Sequence, residues 1–253
     1  MFADSVYSEL DFLHSEEKRL IFPRFFKAGK GEYGEGDKFI GVTVPNMRLV
    51  AKSHEDASLE DIDSLLCSPW HEMRLCGLLI LVEQVKRTKT RKWLKEHSED
   101  EAEKKRKEVF DFYLCHTERI NNWDLVDLTA PAIVGEYLLD KDRTIIYKLA
   151  DSSLLWEQRI AIVSTYAFIR ANDYDDIYRL SSLLINHKHD LIHKALGWML
   201  REAGKRDKAP LLDFLDEHAA SMPRTMLRYS IEKFNDVERK YYMNMKQSVK
   251  ANH

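Results

Sequence analysis

Four helix starts of like character recur near Trp123, Leu154, Asp190 and Pro223, at intervals of 31, 36 and 33 residues. Signals for shorter helices lie between them, near Asp142, Asp173 and Lys208. A single helix pair cannot enclose a core, so pairs recurring at this spacing must bury their apolar faces on one another. That predicts an all-α chain, an α-solenoid of HEAT or related type. An ordinary all-α globule with coincidental spacing is the alternative. The starts have local chemistry behind them. Val44-Pro45 puts proline at a first helical position. Ser58 caps a segment with Glu60 and Asp61 in its first turn. Ser68-Pro69 opens a longer helix through Trp70, Met73, Cys76, Leu79 and Ile80, apolar almost all round and therefore central. Asn122 caps the helix at Trp123; Ser153, Asp173, Asp190 and Met222-Pro223 mark further starts; Gly204 stands where a C-terminal helix glycine would. No convincing alternating strand is present.

Composition narrows the choice. Nine glycines and six prolines in 253 residues are about half the usual share, too few for a many-turned sandwich or barrel. A chain of this length buries roughly 70–75% of its unfolded surface, so residues 1–253 are expected to form one domain without staples, with N-terminal helices in residues 1–58 capping the array. The cysteines, Cys67, Cys76 and Cys115, are odd in number and unpaired in motif. They read as reduced, mostly buried thiols of a cytoplasmic protein. No signal peptide is visible in Met1–Leu10, and the longest apolar run, Leu78–Val82, is far too short to span a membrane. The formal charge is −3, yet residues 190–253 carry 12 bases and 9 acids. Bases also recur at like places on the repeated helices. Glu72-Met73-Arg74-Leu75 resembles Glu157-Gln158-Arg159-Ile160; Lys194, Arg224 and Arg228 fall near the starts of later ones. Stacked in register, such positions would line a basic concave groove suited to a polyanion.

Three other signals are set aside. Gly29-Lys30-Gly31-Glu32-Tyr33-Gly34 matches a dinucleotide-binding glycine pattern but lacks the preceding strand and following helix, and reads as a flexible loop. His189 and His193 are four apart but have no third ligand in sight, so no metal is expected. The charged run Glu99–Lys107 reads as a solvated helix face.

The residues that carry chemistry fall on the repeated helices. Trp123 and Asp127 are four apart and share a face. Capping accounts for Asp124 in the first turn, but poorly for Asp127 a turn further in. Arg159 lies within Trp156-Glu157-Gln158-Arg159, and Trp198 shares a face with Lys194 and Arg201. An aromatic between two bases suits a surface that meets phosphates and rings.

Here the sequence resembles a known family, the AlkD-like DNA alkylation repair proteins, which are HEAT-like-repeat alkylpurine DNA glycosylases. The resemblance covers nearly the whole chain. It rests on Tyr33-Gly34-Glu35-Gly36-Asp37 followed by Phe39-Ile40-Gly41-Val42-Thr43-Val44-Pro45, on Asn122-Trp123-Asp124-Leu125-Val126-Asp127, on Trp156-Glu157-Gln158-Arg159-Ile160-Ala161, and on Ala195-Leu196-Gly197-Trp198-Met199-Leu200-Arg201-Glu202. It implies a right-handed superhelix of helix pairs and excision of cationic N3- and N7-alkylated purines, such as 3-methyladenine and 7-methylguanine, from duplex DNA. It gives Asp127 the catalytic carboxylate. Trp123 and Trp198 would pack against the damaged nucleotide's sugar, and Arg159 would support that site and the backbone. Arg159, Lys194, Arg201, Arg74 and Tyr33 are the expected DNA contacts. A monomer without cofactor or metal, in the bacterial cytosol and nucleoid, completes the expectation. The chemistry is consistent: an N3- or N7-alkylated purine is already a good leaving group, and a carboxylate beside the anomeric carbon stabilises the charge that develops on the sugar. A non-catalytic DNA-binding solenoid would keep the bases without needing Asp127. A protein-interaction scaffold would need neither.

Overall fold

Side-chain caps set where several of the helices begin. The computed structural model describes residues 1–250, and within them the chain is built from helices; no strand forms, and Lys38 and Trp70 make an isolated parallel bridge. The chain divides into two compact units, the first ending at Tyr137 and the second beginning at Leu138.

The first unit contains α1 (Phe2–Phe12), α2 (Glu16–Phe25), α3 (Val44–Ser53), α4 (Leu59–Leu66), α5 (His71–Arg87), α6 (Trp93–Glu96), α7 (Glu99–Cys115) and α8 (Trp123–Asp127), closed by a π-helical turn at Pro131–Gly135. Pro45 stands in the first turn of α3. At α4, Ser58 and Asp61 form a reciprocal capping box; at α7, Ser98 and Glu101 do the same. The long middle helix starts later than Ser68-Pro69 implies. Ser68 Oγ accepts the Trp70 N–H at 3.2 Å, and Trp70 is held extended beside Lys38, so α5 begins at His71. As its all-round apolar character requires, α5 is buried on every side from His71 to Val82 and packs against α1, α3, α4, α7 and α8. Cys76 lies inside it, whereas Cys67 and Cys115 are exposed at the ends of α4 and α7, which corrects the expectation of mostly buried thiols.

The second unit contains α9 (Thr144–Ala150), α10 (Leu155–Arg170), α11 (Asp175–Leu183), α12 (Asp190–Gly204), α13 (Lys208–His218), α14 (Arg224–Ser230) and α15 (Asp236–Lys250). Long α10 packs on α12 and α12 on α14, while α9, α11 and α13 pack beside them, so the repeating pair inferred from spacing is the unit of construction here. Two starts fall later than expected. Ser152 Oγ takes the Leu154 N–H, and α10 begins at Leu155; the Asp173 carboxylate is drawn to Arg143 at 2.6 Å, and α11 begins at Asp175. Gly204 is the last residue of α12 and has no left-handed backbone. Its need is space: a Cβ there would stand 2.2 Å from Leu211 of α13. Gly197 has the same reason, with Tyr229 Cβ and the Met226 carbonyl of α14 within 2.6 Å of where its Cβ would be. Among the described residues, no helix is long and apolar enough to cross a membrane.

Candidate functional site

In the first unit, the segment between α2 and α3 is laid across the start of α5. Lys38 N–H donates to the Pro69 carbonyl at 3.0 Å, and His71 N–H to the Lys38 carbonyl at 2.8 Å. The fully buried Glu72 carboxylate then accepts the backbone N–H groups of Ile40, Gly41 and Val42 at 3.0, 2.8 and 3.3 Å. These bonds satisfy both the carboxylate and three buried backbone donors. They also bring the Asp37 side chain over α5.

Asp37 is the hub of a buried polar cluster. Arg74 reaches its carboxylate at 2.7 Å and also donates to Asn121 Oδ1 and the Ser68 carbonyl, both at 2.9 Å. Asn121 Nδ2 donates to Asp37 at 3.0 Å. His71 Nδ1 lies 3.3 Å from Asp37 Oδ2, and Nε2 lies 2.8 Å from Asp124 Oδ2 on α8. Burial alone would depress the His71 pKa, but the Asp124 charge and hydrogen bond, with the Asp37 hydrogen bond, outweigh it and raise it to about 9. Burial pushes Asp37 upward, and the His71 hydrogen bond with the Arg74 charge more than reverses this, so Asp37 sits below its ordinary value.

An aromatic group lies beside this cluster. Phe26 stacks on His71 with centroids 4.6 Å apart and on Trp123 at 5.6 Å; Phe25 meets Trp123 edge-on at 5.6 Å. Asn122 is fully buried and fastens the same place: it accepts the Trp123 N–H at 2.9 Å and donates to the Phe26 carbonyl at 3.1 Å. Gly34 is required there, since a Cβ would stand 2.7 Å from the Phe26 carbonyl. The glycine-rich segment around it is a braced turn, with the Glu32 and Glu35 carboxylates accepting the N–H groups of Gly29 and Gly31. Tyr33 is half-buried in that turn.

The five-residue α8 therefore has two acids in two settings. Asp124 is buried and engaged with His71; Asp127 is half-buried, a turn beyond the half-buried Trp123 and on its face. Asp127 also acts on buried Tyr113, whose hydroxyl lies 3.0 Å from Thr129 Oγ1. Burial, with the Asp127 charge added, pushes the Tyr113 phenol up.

In the second unit, α10 and α12 hold the remaining expected residues. Arg159 is buried and donates to the Leu191 carbonyl at 2.6 Å, joining the two helices. Lys194 pairs with Asp190 at 2.7 Å. Trp198 is half-buried, its ring 6.2 Å from Tyr166 of α10. Arg201 pairs with Glu202 and Glu232. His189 accepts the Leu191 N–H as a cap, and His193 Nε2 is turned to the His187 carbonyl. Among the described residues no group of three or more His, Cys, Asp or Glu side chains is arranged so that it could hold a metal ion.

Arg74 is thus placed differently from a phosphate contact. At 5% exposure, its guanidinium is turned inward to Asp37 and Asn121. His71, Asp37, Asn121 and the pair Phe25-Phe26 are additions that residue-by-residue reading missed. The available signal was a histidine and a glutamate opening an otherwise apolar central helix, which have to find polar partners somewhere.

A protein-family model described as DNA alkylation repair enzyme matches residues 6–234 of this chain. None of the curated proteins matches it. Among solved structures, the "Predicted DNA alkylation repair enzyme from Enterococcus faecalis" is similar, with a TM-score of 0.67 and 16% identity over 90% of this chain and 99% of that one. At that identity the likeness is one of fold.

Proposed function

The chain belongs to the DNA alkylation repair enzyme family, and from that premise we propose that it is a DNA glycosylase releasing positively charged N3- and N7-alkylated purines from duplex DNA. The observation that carries this reading is the division of labour on α8: Asp124 is engaged with His71 inside the protein, while Asp127 sits a turn away beside Trp123, half-exposed. In the proposed reaction the Asp127 carboxylate faces the anomeric carbon. It stabilises the positive charge that grows on the sugar as the glycosidic bond breaks, and orients the water that attacks. The alkylated base leaves with its bonding electrons as a neutral purine, so no general acid is needed. Trp123 packs against the sugar, where an aromatic face favours a cationic centre and excludes water, and Trp198 offers a like face to the damaged strand from the second unit. Arg159 supports the site from its buried position. Lys194 and Arg201 meet phosphates by exchanging their carboxylate partners, and Tyr33 contacts the DNA from its turn.

Asp127→Asn is the test. The substitution keeps shape and removes charge. Loss of one electrostatic stabiliser costs about 10²–10³ in rate. Single-turnover release of 7-methylguanine should fall by that factor, while the melting temperature holds and affinity for undamaged duplex is unchanged or improved, since an acid has left a surface that meets a polyanion. A variant that melts early yet excises at the wild-type rate would remove Asp127 from catalysis and favour a non-catalytic DNA-binding solenoid.

A further inference from the structure

We infer that His71 is the positioning residue of this site: clamped between Asp37 and Asp124, it fixes α8 and, through the Phe26 ring, the Trp123 face offered to the damaged nucleotide. The inference rests on the glycosylase reading for what Trp123 faces. The clamp itself stands on geometry.

Both ring nitrogens of His71 point at carboxylate oxygens, at 3.3 and 2.8 Å. A neutral imidazole has one N–H and one lone pair. In that form the lone pair would confront a carboxylate, with no water to intervene, because His71 and both acids are 5% exposed or less at the side chain. Two donors are required, so the ring is an imidazolium. The charged groups facing it are Asp37 from the segment between α2 and α3, Asp124 from α8, and Arg74 one turn on along α5. Two cations then balance two anions, which is how a buried ionic cluster is made tolerable. Neighbouring Glu72 is turned away to the backbone of residues 40–42.

The clamp is needed because α8 has five residues, too few to hold itself by its own hydrogen bonds. Asp124 is its anchor. Asp127 lies three residues on, and Trp123 next to it rests on Phe26, which in turn stacks on the imidazolium. Removing the His71 proton leaves one carboxylate facing a lone pair and loosens the Phe26–Trp123 stack. The raised pKa of about 9 keeps the clamp closed at neutral pH and opens it above.

The test follows Trp123 directly. The protein is labelled with 5-fluorotryptophan, and the Trp123 fluorine resonance is assigned by its absence in Trp123→Phe. Between pH 7 and 10 that resonance should shift with a midpoint near 9 in the wild type and lose this titration in His71→Gln. Nitrogen NMR of the His71 ring should show both nitrogens protonated at pH 7. Single-turnover release of 7-methylguanine should be about tenfold slower in His71→Gln at pH 7, with undamaged-duplex affinity within twofold. The wild-type to variant ratio should fall toward one above pH 9; titration of the substrate is common to both and cancels. If His71→Gln does not fold, the wild-type titrations and Asp124→Asn, which should move the Trp123 resonance at pH 7, decide the matter. A neutral His71 ring at pH 7, a Trp123 signal indifferent to pH, or a folded His71→Gln with wild-type excision would overturn the inference. Absence of purine release from the wild type at every pH would instead sink the glycosylase reading, and the fluorine titration would still decide whether His71 holds Trp123.

Discussion

Arg74 and His71 make separable predictions because one carries a fixed charge and the other titrates. Arg74→Ala removes the nearest partner of a buried carboxylate, Asp37, at 2.7 Å. Breaking such a pair from one side costs about 3–5 kcal/mol, mostly from the charge left behind. Urea denaturation should show a loss of that order, while the salt dependence of DNA affinity stays unchanged, because a guanidinium turned inward releases no counterion. For His71 the reference value is 6.5 and the folded value about 9. Its stabilisation is therefore complete below pH 6.5 and fades as pH rises through 9, by on the order of 3 kcal/mol across the window. Asp37 is lowered, so its contribution is present at neutral pH and disappears as pH falls through the folded value. Denaturation midpoints for the wild type should accordingly decline between pH 6.5 and 10, and His71→Gln should lack that alkaline decline. An equal decline in both would place its origin elsewhere.

At the scale of elements, glycine positions decide how closely neighbouring helices approach. Gly197→Ala would gain about 1 kcal/mol of helix propensity. It would also force a methyl to within 2.6 Å of the Met226 carbonyl, a backbone atom that cannot swing away. Overpacking of this kind costs about 1–3 kcal/mol, so the variant should melt lower, and a higher melting temperature would mean that α12 and α14 separate without penalty. The same elements show what the sequence could tell. Ser58 and Asn122 were readable as caps because a cap addresses N–H groups only one to three residues away. The central place of α5 was readable because it is apolar all round. Gly204 looked like a helix terminator, yet its reason is Leu211 on another helix, which no local rule can supply. Asp124 read as a first-turn acid; its partner His71 is 53 residues away, and Asp37 is 34 residues from the same histidine. Arg74 and Arg159 both fall in the first turns of long helices, yet one turns to a side-chain cluster and the other to a backbone carbonyl. Periodicity gives the place along a helix but not which way a long side chain turns once a loop such as residues 26–43 is laid over it.

For the whole molecule, net charge is a poor guide to DNA affinity, and the pairing of each cation matters more. The chain totals −3, and the bases expected to meet phosphates are engaged within the protein: Lys194 with Asp190, Arg201 with Glu202 and Glu232, Arg159 with a backbone carbonyl. Those engagements differ in strength. The Lys194–Asp190 pair is an i,i+4 surface pair with side chains 40% and 55% exposed, a kind worth about 0–1 kcal/mol. A phosphate can displace Asp190 readily, and each such exchange releases about one condensed counterion. Arg201 is held by two carboxylates and is 18% exposed, so it should give up its partners less easily. Affinity for undamaged duplex should therefore fall steeply with salt, with a log–log slope of a few units at roughly 0.9 per phosphate contact. Lys194→Ala should reduce the slope by about one, Arg201→Ala by less than one, and Arg74→Ala not at all. Asp190→Ala removes one competitor for Lys194 and should raise affinity without changing the slope, because the same phosphate is contacted with less competition. Equal slopes for the wild type and Lys194→Ala would remove α12 from the DNA-binding surface and shift the search to the cations of the first unit.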